Sequence, residues 1–130
     1  MKRSKLRPVS KAPKRRLEME CDKLWQEVIH KLFKGRCLIC GFRSLTTGHH
    51  LIKRRVKWLR HCVMNGVLLC DRCHRQAEEF QENFVAALRQ VSPKHYEWME
   101  EHRYSEPQTV TTSDLKETRK VLKQVLEQLA

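Results

Sequence analysis

No stretch of this sequence is apolar for the roughly 20 residues that a membrane-spanning helix needs, so no membrane segment is expected. The first residues are basic, but no apolar run follows them, which argues against a secretory signal. There is no internal repeat. Acidic residues are missing from two segments where bases crowd together. Residues 1–16, MKRSKLRPVSKAPKRR, hold eight Lys/Arg and no acid. The segment KRRVKWLRHCVM holds Lys53, Arg54, Arg55, Lys57 and Arg60, again with no acid between them. The first segment cannot build a core and is expected to be a flexible basic arm.

What is present describes a small, strongly basic domain. The chain has 130 residues, a net charge of +12 and 40% apolar residues, enough for one modest core that would gain from a metal staple. The charge is uneven. Residues 1–75 carry 20 Lys/Arg against 5 Asp/Glu, and residues 76–130 carry 7 against 10. Such asymmetry points to a polyanion partner, nucleic acid first. Six cysteines could make three disulfides in a secreted protein. Four of them instead form two Cys-x-x-Cys pairs, Cys37/Cys40 and Cys70/Cys73, which indicates a reduced compartment and zinc.

Periodicity supplies the elements. Leu17, Cys21, Leu24, Val28 and Leu32 recur at helical spacing, with Trp25 and Ile29 widening the stripe, so a helix is expected over 17–35 with Gly35 as its stop. Cys21 on that face reads as a core residue. Residues 36–70 read as short extended segments, with Val67–Leu69 a strand entering Cys70. One helix is predicted from about Asp71 to Gln90, burying Phe80, Phe84, Ala87, Leu88 and Val91. Ser92-Pro93 opens a short helix through Tyr96, Trp98 and Met99. After a linker, Thr112 or Ser113 caps a last helix with Leu115, Leu122, Val125, Leu126 and Leu129 on one face. The chain therefore divides into an arm (1–16), a helix (17–35), a zinc-bound core (36–91) and a helical extension (92–130).

Four thiolates satisfy tetrahedral zinc and close the site, so this metal is expected to be structural. Cys62 is left as a free thiol. The histidines are left for chemistry. His49-His50 sits between Gly48 and the apolar pair Leu51-Ile52. His74 follows Cys73 at the start of a helix, and Glu78 lies one turn on, on the same face. A histidine and a carboxylate one turn apart, with a histidine from a strand, make an open divalent-metal site.

Cys37/Cys40, His49-His50-Leu51, Asn65 and Cys70/Cys73-His74, in that order, resemble the HNH or ββα-metal endonucleases with a four-cysteine zinc site, over about residues 36–80. More narrowly, Gly48-His49, the basic loop with Leu59-Arg60, Asn65 and the helices that follow are similar to the phage NinG/Rap recombination endonucleases, which process branched DNA. Those proteins carry Asn where His74 stands and a single histidine after the glycine. The resemblance implies an α+β fold with a small zinc-stabilised, treble-clef-like ββα-metal core flanked by helices. It implies His50 as general base and Asn65 as a brace for its loop. His49, His74 and Glu78 would hold a catalytic Mg²⁺ or Mn²⁺ beside the structural Zn²⁺. Lys53, Arg54, Arg55, Lys57 and Arg60 would contact DNA phosphates, and Trp58 would either stack on a base or fill the core. Paired cuts across a branch would need a homodimer, which the last helix could join. The expected setting is the cytoplasm of a bacterial host, with the gene carried by a phage. A zinc-stabilised DNA-binding module without activity, and an HNH nuclease without branch preference, are the alternatives. An interaction module using the acidic C-terminal helices is a third.

Overall fold

A two-stranded antiparallel sheet lies between helices on both of its faces. The structure is a computed structural model and describes residues 11–130. In chain order it contains α1 (Lys11–Leu32), β1 (Thr46–His50), a 3-10 turn (Val63–Asn65), β2 (Gly66–Cys70), α2 (Asp71–Glu79), α3 (Gln81–Val91), α4 (Pro93–His102) and α5 (Thr112–Leu129). It is thus a small α+β protein with five helices among the described residues. None of these helices is long and apolar enough to cross a membrane.

The strand β2 reads GVLLC and is buried along its whole length. Side chains alternate across a strand, and here both faces are covered. Leu68 joins Leu17, Cys21, Trp25, Val28 and Ile29 of α1 with Leu115 and Leu122 of α5. Val67 and Leu69 join Leu51, Ile52, Leu59, Phe84, Leu88 and Met99 on the other side. Register pairs Gly48 with Leu68, His49 with Val67 and His50 with Gly66. The two strand glycines, Gly48 and Gly66, matter for α1. A Cβ at Gly66 would overlap the Trp25 ring, and one at Gly48 would lie 2.9 Å from it. Their bare backbone lets the indole lie directly on the sheet.

Two expectations are corrected, and a third element finds its partner. First, α1 begins at Lys11, so residues 11–16 of the expected arm are helical; residues 1–10 lie outside the described residues. Ala, Lys and Arg are good helix formers, and Pro13 falls in the first turn, where its missing N–H costs nothing. Second, the single helix expected over 71–90 is two. The chain turns at Phe80 (φ −127°, ψ 65°), leaving Phe80 57% and Val91 48% exposed where both were expected inside. Third, the apolar face of α5 packs on α1 within the same chain, where Arg119 also meets Glu20 at 2.6 Å. Leu115 and Leu122 are buried there, and Val125, Leu126 and Leu129 are half-buried against the same cluster. The cap of α5 is Thr111: the hydroxyl accepts from Asp114 N–H (3.1 Å), and the Asp114 carboxylate accepts from Thr111 N–H (2.8 Å).

Candidate functional site

A cysteine cluster and a histidine pair flank α2. The first is the cysteine cluster. Cys70 ends β2, Cys73 lies in the first turn of α2, and Cys37 and Cys40 sit on a tight turn after α1. Leu38 N–H donates to Leu68 C=O (2.8 Å) and fixes that turn to β2. The four sulfurs lie within 4.8 Å of one another, with Cys40 and Cys70 at 3.6 Å. Zn–S bonds of about 2.3 Å would set tetrahedral sulfurs roughly 3.8 Å apart, so the cluster could hold a zinc ion. Its electrostatics agree. Burial raises the Cys37 thiol, but backbone N–H groups of Cys40, Cys70 and Ile39 outweigh it and bring the thiol down to about 7. Burial and the neighbouring sulfurs of Cys70 and Cys37 push Cys73 up. One thiolate forms readily, the next is opposed by it, and a dication removes the opposition.

The second group is built on β1, whose period of two sends consecutive histidines to opposite faces. His49 faces α2. Its ring meets His74 edge-on at 4.9 Å between centroids and Phe84 at 5.4 Å. Burial, then the charges of His74 and His50, push its pKa down to about 4. The ring is neutral and has a lone pair to offer a cation. Glu78 is exposed and lines the same cleft, about 710 Å³ in volume, with His49, His50, His74, Lys53 and Arg54. Among the described residues, three or more potential ligand atoms converge only at the cysteines. His49 and His74 meet as a pair, and Glu78 stands apart from them on the cleft wall.

His50 faces α1. Its ring stacks on Trp25, 4.0 Å away and 9° from parallel. Its Nε2 lies 2.9 Å from the main-chain oxygen of Arg60. A carbonyl can only accept, so Nε2 carries the proton. Burial holds the ring's pKa below its ordinary value, so the neutral ring leaves its lone pair on Nδ1.

Around it, the loop from Leu51 to Asn65 is tied at several points. Asn65 is fully buried. Its Oδ1 accepts from Ile52 N–H (2.7 Å), and its Nδ2 donates to the carbonyls of Ile52 and Leu59 (3.0 Å each). The Trp25 indole N–H donates to Cys62 C=O (2.9 Å). Gln26 bonds both backbone groups of Gly48, accepting from N–H (2.8 Å) and donating to C=O (3.2 Å), as a neighbouring strand would.

The basic loop divides. Lys53 and Arg55 are exposed. Arg54 is exposed but reaches Asp22 (3.2 Å), and Lys57 reaches Glu18 (3.0 Å). Arg60 differs from the other four: it is 7% exposed, binds Asp22 through Nε (2.9 Å) and Nη2 (2.6 Å), and lies 3.5 Å from Glu18, so its guanidinium is turned to α1. Trp58 is half-buried against the core, with its indole N–H on Ser105 Oγ (2.9 Å).

Asp22, Trp25 and Gln26 are site residues that sequence reasoning passed over. One signal was available: the only four acids before Asp71 are Glu18, Glu20, Asp22 and Glu27, all on α1. Glu18 and Asp22, one turn apart, take charges from the loop. No family model matches the chain, and neither does any curated protein or solved structure, so the reading of this site rests on its own chemistry.

Proposed function

We propose that this chain is a divalent-metal-dependent DNA endonuclease of the HNH type, stabilised by zinc at its four cysteines and acting on branched DNA. One observation carries the reading. A neutral histidine with its lone pair on Nδ1 lines the same cleft as the paired rings of His49 and His74.

Phosphodiester hydrolysis needs a base for the attacking water and positive charge where the phosphate and the departing oxygen become more negative. Imidazole suits the first task, because its pKa lies near working pH. Water oxygen bonds to phosphorus, its proton passes to His50 Nδ1, and the P–O3′ bond breaks. The products are a 5′-phosphate and a 3′-hydroxyl, the latter protonated from solvent. His50 then returns its proton to water. Throughout, the Arg60 carbonyl keeps the other nitrogen occupied and Trp25 keeps the ring plane. Mg²⁺ or Mn²⁺ held by His49 and His74, with Glu78 as a third donor, would act as the Lewis acid for the phosphate and the leaving 3′ oxygen. The paired imidazoles would accept Mn²⁺, Ni²⁺ or Zn²⁺ at least as readily as Mg²⁺, for which the Glu78 carboxylate would have to swing toward them. Lys53, Arg54, Arg55 and Lys57, on the exposed side of the loop, would track the phosphates.

The assay is cleavage of branched, linear and single-stranded DNA with Mg²⁺ or Mn²⁺, comparing wild type with His50→Ala. Loss of cleavage in the variant is expected, and equal cleavage removes His50 from its role. A wild type that binds DNA but cuts none of these substrates with any ion leaves the second reading, a zinc-stabilised DNA-binding module. The separation of Glu78 from the two imidazoles favours that alternative.

A further inference from the structure

Several of the restraints around His50 come from α1, through Asp22, Trp25 and Gln26. The decisive geometry is at one peptide unit. The carbonyl that accepts the His50 Nε2 proton belongs to the peptide joining Arg60 to His61. The side chains on both sides of that peptide end on the same carboxylate. Arg60 gives Asp22 two bonds, at 2.9 and 2.6 Å, and His61 Nε2 lies 2.8 Å from Asp22 Oδ1. Arg60 is buried, and its guanidinium meets Asp22 closely and Glu18 at 3.5 Å, both carboxylates of α1. Planar two-point binding of guanidinium by carboxylate also fixes orientation as well as distance.

We propose that Asp22 is a positioning residue for His50. By holding Arg60 and His61 from the adjacent helix, it sets the place and direction of the carbonyl that keeps the His50 proton on Nε2. The inference rests on His50 being the base of the proposed nuclease, and it adds α1 to the machinery. Gln26 completes the arrangement from the same helix, since it fixes Gly48 two residues before His50. The strand that carries the ring and the carbonyl that orients it are thus referred to one rigid element. Displacement of a reacting group by about 1 Å can cost roughly a hundredfold in rate, so a carbonyl left to wander would lower turnover without weakening DNA binding.

The test uses the full zinc-loaded chain and the variant Asp22→Asn, which keeps shape and removes charge. Nitrogen-15 NMR of the His50 ring reports which nitrogen is protonated, and it does not depend on cleavage. Wild type should show the proton on Nε2, exchanging slowly with water. In Asp22→Asn the proton should exchange at least about tenfold faster and the Nδ1–H form should appear, with kcat lowered about tenfold or more and KM unchanged. Arg119→Ala breaks an exposed ion pair between α5 and Glu20, two residues before Asp22 on α1, and should leave both readings at their wild-type values. Should Asp22→Asn fail to fold, Arg60→Lys, which keeps the charge but loses the two-pronged bond, takes its place. A wild-type proton position and exchange rate in the variant, or an effect on KM alone, overturns the proposal. A wild type that cleaves nothing defeats the nuclease reading instead, and the NMR still decides whether Asp22 governs the His50 proton.

Discussion

Asp22 and Arg60 lie 38 residues apart in sequence and meet through two bonds, Nε–Oδ1 at 2.9 Å and Nη2–Oδ2 at 2.6 Å. This pair fastens the loop to α1, and it makes the fold sensitive to acid. Burial alone would raise the Asp22 carboxyl. Hydrogen bonds from His61 and Arg60, with the charge of Arg60, bring it from an ordinary 3.8 down to about 2. A carboxylate whose folded pKa lies below its unfolded value contributes stability above the unfolded pKa and loses it as pH falls through the folded one. The window is therefore from 3.8 down to about 2. Because the side chain is 27% exposed, solvent screening reduces the contribution to roughly 1–2 kcal/mol. Urea unfolding followed across that window should fall more steeply for wild type than for Asp22→Asn. Parallel curves would show that the pair contributes nothing.

The loop cations should separate into two classes on substitution. Lys53 and Arg55 are exposed and make no ion pair among the described residues. Replacing either by Ala should lower the slope of log binding constant against log salt by about 1 and leave stability unchanged. Arg60→Ala should do the reverse, because it leaves Asp22 and Glu18 without their buried partner, at a cost of about 3 kcal/mol. Binding isotherms at several salt concentrations, with melting curves, check both. A salt slope changed by Arg60→Ala alone, at equal stability, would restore it as a phosphate contact.

These two classes show where the sequence was legible. Cys37, Cys40, Cys70 and Cys73 announce themselves by spacing, because a chelating turn needs its ligands close in the chain. The stripes of α1 and α5 are equally readable, since the buried face of a helix repeats locally. Burial of Arg60 is not readable, because its partner lies on another element and no period links them. The break at Phe80 is hidden for another reason. Phe80, Phe84, Ala87, Leu88 and Val91 fit a helical stripe, and neither Gly nor Pro marks the turn. The candidate site followed the same rule. His49, His50, Asn65 and His74 could be picked out along one stretch, whereas Asp22, Trp25 and Gln26 reach it only through packing.

Removal of metal from the cysteine cluster should act on folding. Structural zinc contributes on the order of 10–16 kcal/mol at neutral pH, as much as the whole stability of a small domain. Cys73 is buried beside Cys37 and Cys70. Cys73→Ser, or a strong chelator, should therefore unfold the segment around β2 and α2 and not merely loosen it. Elemental analysis should find one zinc per wild-type chain and far less in the variant, with loss of near-ultraviolet circular dichroism. Unchanged melting in chelator would remove the structural role.

The glycines under Trp25 offer the closest control on the other side of the sheet. At Gly66 an added Cβ would overlap the indole and lie 2.7 Å from Ile29 Cδ1, both fully buried and without room to retreat. At Gly48 it would lie 2.9 Å from Trp25 and from the amide oxygen of Gln26, the end of a flexible side chain. Overpacking of this kind costs about 1–3 kcal/mol, and Gly66→Ala should fall at or above the top of that range. Gly48→Ala should cost less stability but give up the Gln26 bonds that hold β1. Both substitutions push the ring on which His50 stacks, so both should slow cleavage. The ratio of lost rate to lost stability should be larger for Gly48→Ala, measured by single-turnover cleavage and urea unfolding. Equal ratios would mean that Gln26 holds the strand for stability alone.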